Sequence, residues 1–216
     1  MLRAFIFDFD GLILDTETPL IDAYGLVHAA HGVPFDRTSF LRSVGHADYS
    51  FDPWHGFSPH ADRAALELER RTAKEGLMLR LPILPGVLAL LETARDNGLR
   101  LGVASNSPHS WVDAHLARLG LLALFDFVGC REDVPSPKPE PDLYKLVLNR
   151  FGFRGHEAVA FEDSHTGSLA AKRAHVWSVV APNESTAHHD FEHVDWLVSS
   201  LAEVDLPALR ARFERP

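Results

Sequence analysis

The feature that most constrains this chain is a pair of aspartates at the end of its first apolar run. The run reads Ala4-Phe5-Ile6-Phe7-Asp8-Phe9-Asp10-Gly11, so a short buried strand leads directly into two carboxylates and a glycine. Acids that follow a central strand lie where open α/β sheets place their chemistry. Two carboxylates held close together repel each other unless a cation or a shared proton compensates. The spacing therefore indicates a metal site, and one carboxylate could also attack a phosphorus atom.

Short apolar runs that recur along the chain predict further buried strands. We expect six strands, at residues 3–7, 99–104, 125–129, 158–161, 177–180 and 196–198. Helical spacing occurs between them at residues 87–97, 110–119, 141–150 and 166–174. Strands that alternate with helices imply a parallel sheet with right-handed crossovers. The sequence therefore predicts an α/β fold with a Rossmann-like parallel sheet.

Residues 18–81 interrupt this alternation. Residues 20–30 and 63–75 have helical spacing, and no convincing strand separates them. We predict a catalytic core of residues 1–17 and 82–216, with a helical cap domain of residues 18–81 inserted after the first strand. A helical lid over the acid pair would exclude water and select substrates. An ordinary helical subdomain without a gating role is the alternative.

The net charge and the cysteine content indicate the cellular compartment of the chain and the classes of partner that it can bind. The formal net charge is −9, and no block of Lys or Arg stands out, so we expect no nucleic-acid partner. The single cysteine, Cys130, excludes an internal disulfide framework and fits a reducing compartment. No run of about 18 apolar residues and no signal peptide is visible, so we expect a cytoplasmic protein without a membrane partner. We find no lone amphipathic stripe that would form an interface, and we expect a monomer.

Three later motifs also lie at or just past the ends of predicted strands. Ser105 and Asn106 offer a hydroxyl and backbone N–H groups that could bind phosphate oxygens at the start of a helix. Lys138 supplies a compact positive charge within a proline-rich loop, and Glu162 and Asp163 form a second acid pair. Taken singly, each motif is explained equally well by a turn, a helix cap or a solvated charge. Together with the first acid pair they supply what phosphoryl transfer needs: a cation site, a nucleophile and positive clamps.

These motifs resemble those of the haloacid dehalogenase superfamily of phosphohydrolases, in the branch with a helical cap inserted after the first strand. The β-phosphoglucomutase-like group is the most similar part of that superfamily. The resemblance spans nearly the whole chain, in the family's order. The segments that carry it are Asp8-Phe9-Asp10-Gly11-Leu12-Ile13-Leu14-Asp15-Thr16-Glu17, Ser105-Asn106-Ser107, Ser136-Pro137-Lys138-Pro139-Glu140-Pro141-Asp142 and Phe161-Glu162-Asp163-Ser164-His165-Thr166-Gly167.

The resemblance implies a role for each acid of the two pairs. Asp8 would be the nucleophile that forms an aspartyl-phosphate, and Asp10 the general acid for the leaving alcohol and then the base for water. Mg²⁺ would be held by the carboxylates of Asp8 and Asp163 and by the backbone carbonyl of Asp10, with Glu162 supporting these ligands. Mg²⁺ favours a few carboxylates plus waters and phosphate oxygens, which agrees with this assignment.

The same resemblance implies a phosphate-binding group. Ser105 and Lys138 would hold the transferring phosphoryl group, with Asn106 alongside. Thr16 matches a position that mutases and many phosphatases of this group share, and it is a further candidate for substrate binding.

The cap sequence separates hydrolysis from mutase chemistry. In the mutases of this group, an arginine a few residues after a glycine of the cap holds a second phosphate. Aligning Gly45 with that glycine puts Asp48 near the arginine's position, where an anion would repel a second phosphate. Arg42 lies on the other side of Gly45. We therefore favour a phosphatase acting on a small phosphorylated metabolite, such as a sugar or polyol phosphate.

Other expectations concern the remaining alternatives and the aromatic residues. A mutase, a dehalogenase that does not need Mg²⁺, and a non-catalytic binding module are the competing functions. Candidates for substrate contact in the cap are His46, Asp48, Tyr49, Trp54 and His55, against the alternative that the aromatic residues pack within the cap itself. We expect Trp111 and Trp177 to pack in the core.

Overall fold

Six parallel strands form one sheet in the computed structural model, which describes residues 1–43 and 51–214. The order across the sheet is β3-β2-β1-β4-β5-β6, and every pair of neighbouring strands is parallel. The predicted α/β fold with a parallel sheet is therefore confirmed. The strands are β1 Ala4–Phe7, β2 Arg100–Ala104, β3 Phe127–Gly129, β4 Ala158–Glu162, β5 Trp177–Val180 and β6 Trp196–Leu197.

Eight α-helices occur in the described residues, two more than the sequence pattern predicts. The additional ones are α2 and α8, of seven and eight residues, which are too short for a helical period to stand out. The helices are α1 Thr18–Ala30, α2 Arg37–Ser43, α3 Arg63–Met78, α4 Val87–Asp96, α5 His109–Arg118, α6 Asp142–Phe151, α7 His165–Arg173 and α8 Leu206–Phe213.

The first strand lies at the centre of the sheet because all four of its residues are apolar and buried. Ile6 pairs with Gly102 of β2 on one side and with Ala160 of β4 on the other. The Phe7 ring stacks on that of Phe161, with ring centroids 4.7 Å apart. The chain runs from β1 to β2 and β3 on one side and then crosses to β4 on the other side of β1, so the order of strands reverses at β1. A crevice at the carboxyl end of such a strand is where α/β sheets bind ligands.

The described chain divides into two compact units. The first contains Met1–Leu14, Ile83–Asn183 and Ala187–Pro216, and the second contains Asp15–Pro82 and Glu184–Thr186. The sequence-based boundaries fall at residues 17/18 and 81/82, within three residues of these divisions. The sequence gives no sign that Glu184–Thr186 belong to the second unit, because they are grouped with Asp15–Pro82 only by their contacts in three dimensions.

The second unit has a small apolar core of its own. Helices α1 and α3 pack together, and Val27, Trp54 and Leu66 form a buried cluster. Trp54 is therefore a core residue of this unit, as aromatic residues of a small helical domain commonly are. Arg37 of α2 pairs with Asp22 in the same unit at 2.7 Å. None of the helices formed by the described residues combines the length and apolar character needed to cross a lipid bilayer.

Two glycines of the first unit provide a matched test of the packing. Both Gly86 and Gly120 have left-handed backbone angles, with φ of 87° and 72°. A Cβ at Gly86 would lie 2.2 Å from backbone atoms of Leu201 and Ala202, whereas one at Gly120 would meet nothing within 4 Å. We predict that Gly120→Ala lowers the free energy of unfolding by about 1 kcal/mol. Gly86→Ala should lower it by about 3 kcal/mol, since overpacking adds to the same backbone cost.

Urea unfolding of both variants, followed by circular dichroism, measures this difference. Equal losses for the two variants would contradict the close packing of Gly86 against the segment that precedes α8.

Candidate active site

The first acid pair lies in a tight loop that begins where β1 ends. The backbone N–H of Asp8 still donates to the Phe161 carbonyl at 3.0 Å, so Asp8 continues the sheet. The loop then folds back, with the Gly11 N–H donating to the Leu14 carbonyl at 2.8 Å. Gly11 has a φ of 79°, and a Cβ there would lie 2.3 Å from Oδ2 of Asp163. Only glycine suits both this backbone conformation and this close approach.

The second acid pair lies at the end of β4, next to β1. Glu162 is the last residue of that strand and is fully buried, and Asp163 follows it with 4% exposure. One carboxylate oxygen each from Asp8, Glu162 and Asp163 lies within 4.8 Å of the other two. The Asn183 side-chain amide donates to Oδ2 of Asp163 at 2.7 Å. The two acid pairs therefore meet at one edge of the sheet, because neighbouring parallel strands end there.

A buried lysine lies between two of these acids. The Lys138 ammonium contacts Oδ1 of Asp8 at 2.7 Å and Oε1 of Glu162 at 2.6 Å. The Tyr144 hydroxyl donates to the same Oε1 at 2.5 Å. Because this oxygen accepts from two donors, Glu162 serves chiefly to hold Lys138 and Tyr144. Asp8 and Asp163 are left as the acids best placed for a cation.

Asn106 positions Lys138 through its backbone. The Asn106 amide nitrogen donates to the Lys138 carbonyl at 3.0 Å, and its amide oxygen accepts from the Lys138 N–H at 2.9 Å. This paired contact connects the segment after β2 with the loop that carries the lysine. In the described contacts, the amide group of Asn106 is thus directed at the protein backbone.

Ser105 directly follows β2 and is 1% exposed. Its hydroxyl oxygen accepts from the backbone N–H of Ser107 at 3.0 Å, and its own N–H donates to the Gly129 carbonyl of β3 at 3.0 Å. Within the part of the chain that the structure describes, the Ser105 hydroxyl makes no hydrogen bond as a donor, so it can donate its hydrogen to a ligand.

Asp10 is bound differently from the other acids. Its Oδ2 accepts from the Ser107 hydroxyl at 2.6 Å, and its Oδ1 accepts from the indole N–H of Trp111 at 2.9 Å. The expectation that Trp111 packs in the core is wrong: Trp111 is half-buried, and its polar edge serves the acid pair. The single N–H donor of this partly exposed indole is thereby hydrogen-bonded, so no unpaired polar group is buried.

Burial dominates the electrostatics of the site. The pKa of Asp8 is raised from 3.8 to about 7, chiefly because burial desolvates the carboxylate; Lys138 opposes this shift, and the charge of Glu162 adds to it. For Lys138, burial alone would lower the pKa, but the charges of Asp8 and Glu162 outweigh it and the pKa is raised. Three buried carboxylates thus face one ammonium. A divalent cation would balance this excess, and hard carboxylate oxygens are ligands that Mg²⁺ and similar ions accept.

The other predicted residues belong to the second unit or lie outside the residues that the structure describes. Thr16 belongs to the second unit and is 3% exposed; among the described residues, its hydroxyl has no hydrogen-bond partner. His46, Asp48 and Tyr49 lie outside the described residues, as does Gly45, so the comparison with the mutase arginine stays a prediction. His55 is exposed on the second unit, and Trp54 lies in that unit's core.

Sequence reasoning missed four side chains that support the acids: Ser107, Trp111, Tyr144 and Asn183. Each is at least 18 positions from its partner along the chain, and Trp111 follows Asp10 by 101 positions. Ser107 had a signal, since it belongs to the same short motif as Ser105. The other three had none, because a lone aromatic or amide in a helix or loop has many roles.

Comparison with known proteins identifies the group to which this geometry belongs. The family model of haloacid dehalogenase-like hydrolases matches residues 2–175. The chain is 37% identical to YhcW of Bacillus subtilis (strain 168), a candidate phosphatase, with 97% of this chain and 96% of that protein covered. It is 33% identical to hexitol phosphatase B of Escherichia coli (strain K12), with 94% of each covered. CbbY from Rhodobacter sphaeroides, solved with xylulose-(1,5)bisphosphate, superimposes with a TM-score of 0.72 at 27% identity, covering 97% and 99%.

The buried acids predict a pH-dependent response to Mg²⁺. In the metal-free protein, folded Asp8 binds its proton more tightly than unfolded Asp8. This stabilisation is complete below pH 3.8 and is lost as the pH rises to about 7. Because a carboxylate must be deprotonated to bind a cation, Mg²⁺ should raise the melting temperature more at pH 8 than at pH 5.5. At 100 times its dissociation constant, the ion should stabilise the fold by about 2.7 kcal/mol.

Differential scanning calorimetry with and without Mg²⁺ measures the effect. Asp163→Asn should remove most of the shift, whereas Asp96→Asn, at an exposed site on α4, should retain it. A shift of equal size in both variants would show that the ion binds elsewhere.

Proposed function

Because the chain belongs to the haloacid dehalogenase-like hydrolases, we propose that it is a Mg²⁺-dependent phosphatase that acts through an aspartyl-phosphate intermediate. The observation that carries this proposal is the buried cluster in which Lys138, from a loop, meets Asp8, Glu162 and Asp163 at the ends of the neighbouring strands β1 and β4. A nucleophile, a cation site and a positive clamp lie within one cluster there. These are the parts that phosphoryl transfer requires.

Asp8 is the nucleophile in this proposal. A carboxylate oxygen of Asp8 attacks phosphorus, and the bond between phosphorus and the leaving oxygen breaks. Asp10 gives its proton to that oxygen, so an alcohol leaves. In the second half of the reaction, water attacks the aspartyl-phosphate while Asp10 takes its proton, and phosphate departs from a restored Asp8. One residue can serve as acid and then as base because the two steps run in opposite directions.

The carboxylates of Asp8 and Asp163 and the backbone carbonyl of Asp10 would hold the Mg²⁺ ion. When bound, the ion neutralises charge on the phosphoryl oxygens and on the attacking carboxylate. Glu162 contributes by holding Lys138, which it contacts at 2.6 Å. Asn183, which donates to Asp163, keeps that carboxylate in place.

Lys138 and Ser105 bind the transferring phosphoryl group in this proposal. The ammonium of Lys138 is already 2.7 Å from the nucleophile, so a phosphoryl group bound to Asp8 would meet a positive charge. Ser105 has a hydroxyl hydrogen to donate. Asn106 acts through the backbone of Lys138, which both of its amide atoms contact.

The substrate class we propose is a small sugar or polyol phosphate. Relatives of this chain support it, since one is a hexitol phosphatase and another was solved with a sugar bisphosphate. The proposal includes residues 18–81 as a cap domain, Thr16 as a substrate contact, a monomeric state and a cytoplasmic setting. The acidic chain also favours a metabolite over a nucleic acid.

Loss of the nucleophile provides the direct test. We predict that the wild-type protein releases phosphate from hexitol or hexose phosphates only with Mg²⁺. Asp8→Asn should lower kcat at least about 1,000-fold, as removal of a covalent nucleophile commonly does. Asp96→Asn, at an exposed position, is the matched control and should behave as wild type. Colorimetric phosphate release measures both.

Three outcomes would reject the proposal in favour of a competing function. Isomerised product from β-glucose 1-phosphate with a bisphosphate primer, without net phosphate release, would identify a mutase. Activity that persists in chelator on a haloacid would identify a dehalogenase. An Asp8→Asn protein as active as wild type on every ester would leave only a binding module.

A further inference from the structure

Both carboxylate oxygens of Asp10 are held by neutral donors from one short segment of chain. Ser107 donates to Oδ2 at 2.6 Å and Trp111 donates to Oδ1 at 2.9 Å. The other acids of the site, Asp8 and Glu162, instead contact the Lys138 ammonium. Among the described contacts, Asp10 thus differs from Asp8 and Glu162 in that an uncharged donor holds each of its two carboxylate oxygens.

The indole that contacts Asp10 is itself well fixed. Trp111 lies in the first turn of α5, and His115, one turn further, packs edge-on against it with ring centroids 4.3 Å apart. The His115 ring in turn stacks on Phe9, at 6.2 Å between centroids. Phe9 directly precedes Asp10. The indole of Trp111 thus contacts Asp10 directly and contacts the neighbouring Phe9 through His115. These contacts fix the indole relative to the backbone that carries the Asp10 carboxylate.

The two donors suit a carboxyl group that gives and then takes a proton. An indole nitrogen can only donate, whereas a serine hydroxyl can donate or accept. Trp111 can therefore keep its bond to Oδ1 in both protonation states of Asp10. Ser107 can likewise keep donating to Oδ2 when that oxygen is protonated, because a protonated carboxyl oxygen retains a lone pair, and the proton of Asp10 then stays available to the leaving oxygen. The carboxyl group need not rotate between the two half-reactions.

We propose that Trp111, together with Ser107, is a positioning residue that orients the Asp10 carboxyl for proton transfer to the leaving oxygen. This inference rests on the proposed function, and in particular on Asp10 as the general acid. In this role each residue acts on the reaction through its contact with Asp10.

A comparison of leaving groups separates this role from a structural one. An alkyl phosphate, such as a hexitol phosphate, needs a proton on its leaving oxygen, whereas p-nitrophenyl phosphate releases a stable anion. The kinetic constant to compare is kcat/KM, since it reports the half-reaction in which the alcohol leaves. General acid catalysis contributes about 100- to 10,000-fold, so a misoriented acid affects mainly the alkyl ester.

We expect Trp111→Phe to lower kcat/KM for the alkyl ester at least about 10-fold more than for p-nitrophenyl phosphate. Ser107→Ala should have the same selective effect, and Ser107→Thr, which retains a hydroxyl, should restore much of the loss. The matched control is Trp177→Phe, which removes an indole that donates to the His156 carbonyl at 3.1 Å. That variant should show equal changes for the two esters.

The possible results distinguish this inference from the proposed function. Equal losses on both esters for Trp111→Phe would assign it a structural role and overturn the inference. A gain on the alkyl ester would overturn it too, because Trp111 would then hold Asp10 away from the substrate. If Asp10→Asn shows the selective loss and Trp111→Phe and Ser107→Ala do not, the inference fails while the function stands. If the wild-type protein hydrolyses neither ester, both fail. If circular dichroism shows that Trp111→Phe does not fold, the comparison of Ser107→Ala with Ser107→Thr tests the inference instead.

Discussion

The contact on which the site depends is the ammonium of Lys138, buried between Asp8 and Glu162. Its side chain is 4% exposed and lies 2.7 and 2.6 Å from the two acids. Removing one partner of a buried ion pair costs about 3–5 kcal/mol, because the other charge is left without compensation. With Asp163 added, three carboxylates face a single cation. The charges of the protein alone do not balance, and this imbalance favours binding of a divalent ion.

The backbone brings these charges together without a dedicated binding loop. Parallel strands place their carboxyl ends at one edge of the sheet, so residues that follow β1, β2 and β4 become neighbours. Gly11 permits Asp163 to approach the first loop, since a Cβ would lie 2.3 Å from its carboxylate. Asn106 joins the segment after β2 to the backbone of Lys138. Contacts between these segments therefore fix the charged groups relative to one another, which gives the preorganisation that electrostatic catalysis needs.

The sequence predicts the strands and charged groups better than their supporting contacts. All six strands could be predicted, because buried parallel strands are continuous apolar runs such as residues 4–7. The convergence of Asp8, Lys138 and Asp163 could be predicted from where each follows a strand. The hydrogen bond between Trp111 and Asp10 could not be predicted, because the two residues are far apart in the chain. A tryptophan in an apolar helical pattern by itself indicates a core position. Helix α8 had a local signal in Asp205, whose side chain accepts from the Ala208 N–H, but its eight residues give no clear period.

Anomalous diffraction from a crystal soaked in Mn²⁺, used in place of Mg²⁺, tests the central claim most directly. We predict a single strong peak at the ends of β1 and β4, about 2.0–2.2 Å from carboxylate oxygens of Asp8 and Asp163. The backbone carbonyl of Asp10 should be a further ligand. A peak held by other residues, with Asp8 and Asp163 not contacting the ion, would contradict the account.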